Sequence, residues 1–140
     1  SMGFTPLVGL PMGTRCGDLD NGVLQFLMNK YGYSIDEMLN ILNKKSGLLG
    51  VSGIGSDSRE VEAGVQAGNP RATLAVNMLS YGIKKYIGSY AAAMGGVDVI
   101  CFTAGIGENA AGFHENAYTQ LFRHLLLGQL LFLSQLSEIL

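Results

Sequence analysis

Apolar positions along this chain recur mostly at helical spacing. Val23, Leu24, Phe26 and Leu27 fall on one side of a helix that Asp20 can cap and that runs through about Tyr31, where Gly32 stops it. Ser34 opens a second helix with a capping box, because Glu37 stands three residues later. Ile35, Met38, Leu39 and Leu42 give that helix a stripe suited to burial, and Lys44 and Lys45 suit the negative end of its dipole. Asp57 or Ser58 caps a short helix to about Ala67. The break Gly68-Asn69-Pro70 then precedes the longest element, predicted over residues 70–94. Leu74, Ala75, Met78, Leu79, Ile83, Tyr86, Ile87, Tyr90 and Met94 form its seam.

Other segments break this rhythm. Residues 3–19 are rich in Gly, Pro and Thr and read as irregular backbone or a short hairpin. Residues 46–56, SGLLGVSGIGS, hold four glycines and read as a loop or a distorted strand. The run VDVICFT, residues 97–103, is the one convincing strand, apolar and β-branched enough for burial on both faces of a parallel sheet. A Leu-rich helical tail ends the chain. The pattern predicts a helix-rich α/β fold in which one strand is clear and the rest of the sheet lies in the glycine-rich segments or outside the chain.

Composition narrows the function classes. The 140 residues suit one domain; 48% are hydrophobic and the formal charge is only −2, which excludes intrinsic disorder. Scattered Lys and Arg give no electrostatic footprint for nucleic acid. Charged residues are 14% of the chain, below the usual ~25%, so part of the surface is expected to be covered in a larger whole. Cys16 and Cys101 lack metal-type spacing and read as reduced thiols of a cytoplasmic protein. No signal peptide is visible at the start, and the apolar stretch 125–133 is too short for a bilayer that needs ~20 residues. No membrane association is expected.

Three segments could carry chemistry. The turn Gly105-Ile106-Gly107-Glu108-Asn109 follows the predicted strand, where glycines let backbone approach a ligand and a following helix would aim amides at negative charge. It also reads as a plain strand-to-helix connection, or as a weak G-x-G-x-x-A dinucleotide fingerprint lacking its second strand and acidic residue. Asp57-Ser58-Arg59 follows a glycine loop and could hold a nucleotide, or simply cap a surface helix. Gly13-Thr14-Arg15 places an arginine among small residues, where it could stabilise a transferring phosphoryl group or serve as a surface cation. Asp18 and Asp20 have metal-like spacing, but helix capping accounts better for Asp20. Neither His114 nor His124 has an identifiable catalytic partner, and no metal site is predicted.

Taken together, MGFTPLVGLPMGTRCGDLD (residues 2–20), LNKKSGLLGVSGIGSDSRE (42–60) and FTAGIGEN (102–109) resemble consecutive signatures of the acetate kinase family, in order and spacing. The likeness covers residues 1–110 and fades into the Leu-rich tail, 111–140. Asn21 stands where the family usually has proline, and Val8 where it usually has glutamate. The resemblance implies a partial C-terminal domain of the ribonuclease-H-like, actin-like ATPase type. It implies reversible transfer of the ATP γ-phosphoryl group to acetate, giving acetyl phosphate and ADP, with a propionate or butyrate kinase, or a non-catalytic nucleotide-binding or dimerisation module, as alternatives. ATP or ADP with Mg²⁺, acetate or acetyl phosphate, and a homodimer are the implied cofactors and partners. Arg15 is implied as the transition-state stabiliser, and Asp57, Ser58, Arg59 and Gly105, Ile106, Gly107, Glu108, Asn109 as nucleotide contacts. The metal ligands, other catalytic groups and main phosphate loop are implied to lie outside this chain, so isolated activity is not expected.

Overall fold

A computed structural model of the chain describes residues 2–100, and five helices account for its regular structure. They are α1 (Asn21–Tyr31), α2 (Ile35–Lys44), α3 (Gly47–Ser52), α4 (Ser58–Gln66) and α5 (Pro70–Met94). The chain divides into two units, Ser1–Gly82 and Ile83–Leu140, with the boundary inside α5.

In the first unit, helix ends follow the side-chain chemistry. Asp20 caps α1 by accepting the Gly22 amide at 2.8 Å, and Gly32, left-handed at φ 71°, closes it. Ser34 and Glu37 form the capping box of α2: the Ser34 hydroxyl accepts the Glu37 amide, and the Glu37 carboxylate accepts the Ser34 amide at 2.8 Å. These bonds hold the Glu37 carboxyl below its ordinary pKa. Asn69 caps α5 through the amides of Arg71 and Ala72, with Pro70 in the first helical position, where a missing N–H costs nothing.

The core of this unit comes from four helices. Met38 and Leu42 of α2, Leu48 of α3, Val61 of α4, and Ala72, Ala75 and Leu79 of α5 are its buried apolar residues. Burying a Leu, Met or Val side chain contributes about 1.5–3 kcal/mol each, so this small set sets the register of the unit. Close approach is built in at Gly64, where a Cβ would lie 3.0 Å from that of Ala72 and 2.4 Å from Ile54 Cδ1. By contrast α1 buries nothing fully, and Phe26 on its apolar side remains 60% exposed. On α2 only the Met38–Leu42 half of the expected stripe is buried; Ile35 and Leu39 face outward.

In the second unit the described residues are the end of α5 and the segment after it. The Tyr86 and Tyr90 rings, four residues apart on one helix side, lie 5.9 Å apart. Gly95 and Gly96, at φ 75° and 142°, end the helix.

The α/β expectation does not hold: among the described residues there is no strand. Val97–Ile100, the first half of the predicted strand, is irregular backbone, while Cys101, Phe102 and Thr103 lie outside the described residues. A strand exists only when a neighbour takes up its backbone donors and acceptors, and the described residues offer VDVI no such neighbour. The ribonuclease-H-like sheet is therefore not found there either. Residues 46–56 also differ from expectation, since they contain α3 rather than a loop or strand. The predicted helix over 70–94 is present as α5.

Candidate functional site

Arg15 sits on a loop that links two helix ends. Gly9 and Asp18 close the base of the loop: the Asp18 amide donates to Gly9 O, and the Gly9 amide to Asp18 Oδ1, both at 2.8 Å. Inside it the Met12 amide donates to Arg15 O at 3.0 Å. One side of the loop serves the carboxyl end of α2, where the Cys16 amide donates to Leu42 O (3.0 Å) and the Thr14 hydroxyl to Asn43 O (2.9 Å). Its carbonyls serve the amino end of α3: Thr14 O accepts the Ser46 amide, Met12 O that of Leu48 and Gly13 O that of Leu49, each at 2.9 Å. Every helix leaves such groups unpaired at its ends. The side chain of Ser46, the N-cap of α3, makes no capping bond, so the loop backbone performs that task.

The clamp requires Gly47. Its φ is +61°, and a Cβ there would lie 2.0 Å from Met12 O, 2.7 Å from Arg15 O and 3.0 Å from Arg15 N. Gly13 presses in the same way on the far side, with its Cβ position 2.6 Å from Ser56 O. The structure thus brings the Arg15 loop against the backbone one residue before Asp57.

The guanidinium of Arg15 is incompletely partnered. Among the described residues its buried Nε has no hydrogen-bond partner, and its Nη1 reaches only Met12 Sδ, at 3.8 Å. Among the described residues no carboxylate pairs with it. An unpaired buried donor costs about 1–3 kcal/mol, more when charged, and no group among the described residues offsets that cost for Arg15.

Asp57, Ser58 and Arg59 are arranged differently. Asp57 is the N-cap of α4 and Ser58 its first residue. The Asp57 carboxylate accepts the Arg59 amide at 2.9 Å, and also binds the Arg59 guanidinium through Nε and Nη2. These contacts push the Asp57 carboxyl down to about 2 and raise the Arg59 guanidinium. The Arg59 side chain is 86% exposed, with its Nη1 edge turned away from Asp57. Gly105, Ile106, Gly107, Glu108 and Asn109 lie outside the described residues.

Cys16, next to Arg15, borders a cavity of about 370 Å³ that Leu7, Asp18, Leu24, Leu39 and Leu42 also line. Its thiol is free, donates to Gly17 O at 3.1 Å, and is pushed up in pKa chiefly by burial. Asp18 and Asp20 serve the backbone amides of Gly9 and Gly22. Among the described residues no group of three or more His, Cys, Asp or Glu could hold a metal ion, and no helix is long and apolar enough to cross a membrane. Sequence reasoning singled out Gly13-Thr14-Arg15 for its arginine but missed Ser46 and Gly47. The available signal was the Ser-Gly pair immediately before Leu48-Leu49, a helix start with no side-chain cap.

The chain as a whole is similar to known proteins. An acetate kinase of Halothermothrix orenii is 57% identical over 121 residues, which are 86% of this chain and 30% of that protein. An acetate kinase of Phocaeicola vulgatus is 63% identical over 111 residues, 79% of this chain and 28% of that protein. Among solved structures, Porphyromonas gingivalis acetate kinase matches with a TM-score of 0.82 at 56% identity, over 84% of this chain and 29% of that one. A propionate kinase from Francisella tularensis matches with the same TM-score at 42% identity, over 86% of this chain and 31% of that one. The chain thus spans less than a third of the length of these relatives. The family model described as the acetokinase family matches residues 1–128, and with that match the chain belongs to the acetokinase family.

Proposed function

We propose that this chain supplies the arginine-bearing portion of an enzyme that moves the γ-phosphoryl group of ATP to acetate, reversibly, giving acetyl phosphate and ADP. The observation that carries this reading is Arg15: a guanidinium with a buried, unpartnered Nε on a loop clamped by five hydrogen bonds. The reaction breaks the bond between the γ-phosphorus and the oxygen of ADP and forms one to a carboxylate oxygen. A carboxylate is already ionised at neutral pH, so no base has to remove a proton from the acceptor. What remains is positioning and neutralising charge on the transferring oxygens, for which a fixed arginine is suited.

Asp57, Ser58 and Arg59 are proposed to meet the nucleotide, with the outward Nη1 edge of Arg59 as the available donor. Gly105 through Asn109 are proposed to line the adenosine pocket. ATP reacts as its magnesium complex, and the protein ligands of that ion are proposed to lie outside this chain; among the described residues no three or more His, Cys, Asp or Glu are grouped. Acetate is the acceptor proposed because the curated relatives above are acetate kinases, with propionate as the alternative because a propionate kinase also matches. Residues 1–110 are read as part of the family's C-terminal domain, 111–140 as a divergent Leu-rich helical tail, and the enzyme as a cytoplasmic homodimer. Exposed Val23, Phe26 and Ile35 provide apolar surface for such association.

Assayed by itself, the 140-residue polypeptide is expected to make no acetyl phosphate, because one arginine does not complete the site. The decisive experiment replaces the matching stretch of the Halothermothrix orenii acetate kinase with residues 2–100 of this chain. Acetyl phosphate formation by the graft, lost on Arg15→Ala, is the expected result. A graft that keeps its rate without the arginine refutes the assignment.

A further inference from the structure

We propose that Gly47 is a positioning residue for Arg15: the bare Cα at the α2–α3 corner lets the arginine loop descend far enough to fix where the guanidinium stands. The functional importance of that position rests on the phosphoryl-transfer reading, but the positioning itself is a separate physical claim. Its basis is the seating of the loop. Met12 O and the Arg15 peptide lie where a Gly47 side chain would begin, at 2.0 Å for Met12 O and 2.7 and 3.0 Å for Arg15 O and N. Met12 O is the nearest atom and the other two belong to Arg15 itself, so whatever fills this space presses on the loop at Met12 and on the arginine's own peptide together. All three are backbone atoms, which cannot swing aside as the end of a side chain would.

The bonds around this contact explain why the displacement would not be absorbed elsewhere. Met12 O caps Leu48, Gly13 O caps Leu49, and Thr14 both receives from Ser46 and gives to Asn43 O. Raising the loop by an ångström lengthens all of these bonds together, because they join one rigid segment to two helix ends. Ser56 O stands against Gly13 from the opposite side, at 2.6 Å from its Cβ position, and limits escape in that direction. Among the described residues the weak Met12 sulfur contact is the one polar contact of the Arg15 side chain, so its location depends chiefly on the backbone beneath it. In phosphoryl transfer a misplacement of ~1 Å can cost about 10²-fold in rate, which makes an inherited position consequential.

A positive φ at Gly47 would make many substitutions unfavourable whatever surrounds it, so the test must separate strain from collision. Gly32 provides the control: its φ is +71° and nothing lies within 4 Å of its Cβ position. Asparagine tolerates this left-handed region better than other residues with a Cβ. The experiment therefore compares Gly47→Asn with Gly32→Asn in the full 140-residue chain, by NMR. Two quantities are read: the Arg15 Nε–Hε signal, assigned by its disappearance in Arg15→Lys, and exchange of the Ser46, Leu48 and Leu49 amides. Gly47→Asn is expected to move the Arg15 signal and to speed exchange of those three amides by at least ~10-fold. Gly32→Asn is expected to leave both unchanged.

Should Gly47→Asn fail to fold, Thr14→Val carries the test. It removes only the hydroxyl bond to Asn43 O, and is expected to shift the Arg15 signal in a folded chain. An Arg15 signal unmoved in every folded variant, or moved equally by Gly32→Asn, overturns the proposal. So does a wild-type chain whose three amides exchange at the unprotected rate. No substrate enters these measurements, so their failure is distinct from failure of the phosphoryl-transfer reading, which the graft addresses.

Discussion

The two arginines nearest the proposed chemistry are held in opposite ways. Arg59 is an exposed side chain chelated by Asp57, two residues before it, so its location is decided by a local pair of charges at the start of α4. Arg15 has no such partner among the described residues; its location is decided by the backbone beneath it, through bonds to residues about thirty positions away. An arginine already paired with a carboxylate gives up that pair or shares it when an anion arrives. An arginine with an unpaired buried Nε gives up nothing and gains its missing acceptor. Under the proposed function the difference divides the roles: Arg15 is the candidate for charge that develops during reaction, and Arg59 for contact with a ligand already bound.

The sharpest way to break that division is to remove each guanidinium in the Halothermothrix orenii graft. Arg15→Ala is expected to lower kcat by roughly 10³-fold, the range seen when a transition-state arginine is lost. Arg59→Ala is expected to act mainly on the KM for ATP, by about tenfold or less, since an exposed pair screened by water contributes little. Equal effects of the two variants on kcat would erase the distinction.

The next largest effect tests the clamp rather than the guanidinium. In urea unfolding of the full chain, Gly47→Ala is expected to cost about 3 kcal/mol, combining a left-handed φ with collision against backbone. Gly32→Ala shares the φ without the collision and is expected to cost about 1 kcal/mol. A third arginine extends the comparison. Arg71 donates through Nε to Val51 O at 2.8 Å and through Nη2 to Gly50 O at 2.9 Å, at the carboxyl end of α3. It is engaged with carbonyls and has no proposed chemistry, so Arg71→Ala should cost about 1 kcal/mol of stability and leave the Arg15 signal where it was.

What could be read from the sequence, and what could not, follows the same line between local and distant interactions. The Asp20 cap, the Ser34–Glu37 box, the Asn69-Pro70 start and the Gly32 stop are each decided within four residues, and each is present. The stripe of α2 was legible only in part, because Ile35 and Leu39 carry the right period but are covered only partly, at 51% and 40% exposure. SGLLGVSGIGS read as a loop or a distorted strand because of its four glycines, and in the structure the Ser46 side chain does not cap α3. The missing cap comes from Met12 and Gly13, which no local pattern reveals. VDVI failed in the opposite sense: its composition suits a strand, but a strand also needs a neighbour, and none is found among the described residues. At the site, GTR could be singled out as a place for an arginine, yet nothing in those three letters points to Gly47.

The smallest expected effect concerns the Asp57–Arg59 pair, and it can be read one group at a time. Asp57 is held at about 2 in the folded chain, against an ordinary 3.8, first by the Arg59 side chain and second by the Arg59 amide. Because the folded value is the lower one, the cap and ion pair stabilise α4 fully above the unfolded value, near pH 4. That contribution fades as the pH falls from 3.8 toward about 2. A carbon-detected titration of the Asp57 carboxyl should therefore show a midpoint near 2, and Arg59→Ala should raise it only part of the way to 3.8, since the backbone amide still donates. Asp57→Asn should keep much of the cap and abolish the titration. A wild-type midpoint already at 3.8 would mean that the guanidinium is not bound to Asp57 in solution. Arg59 would then be as unencumbered as Arg15, and the contrast between them would have to rest on burial and backbone support alone.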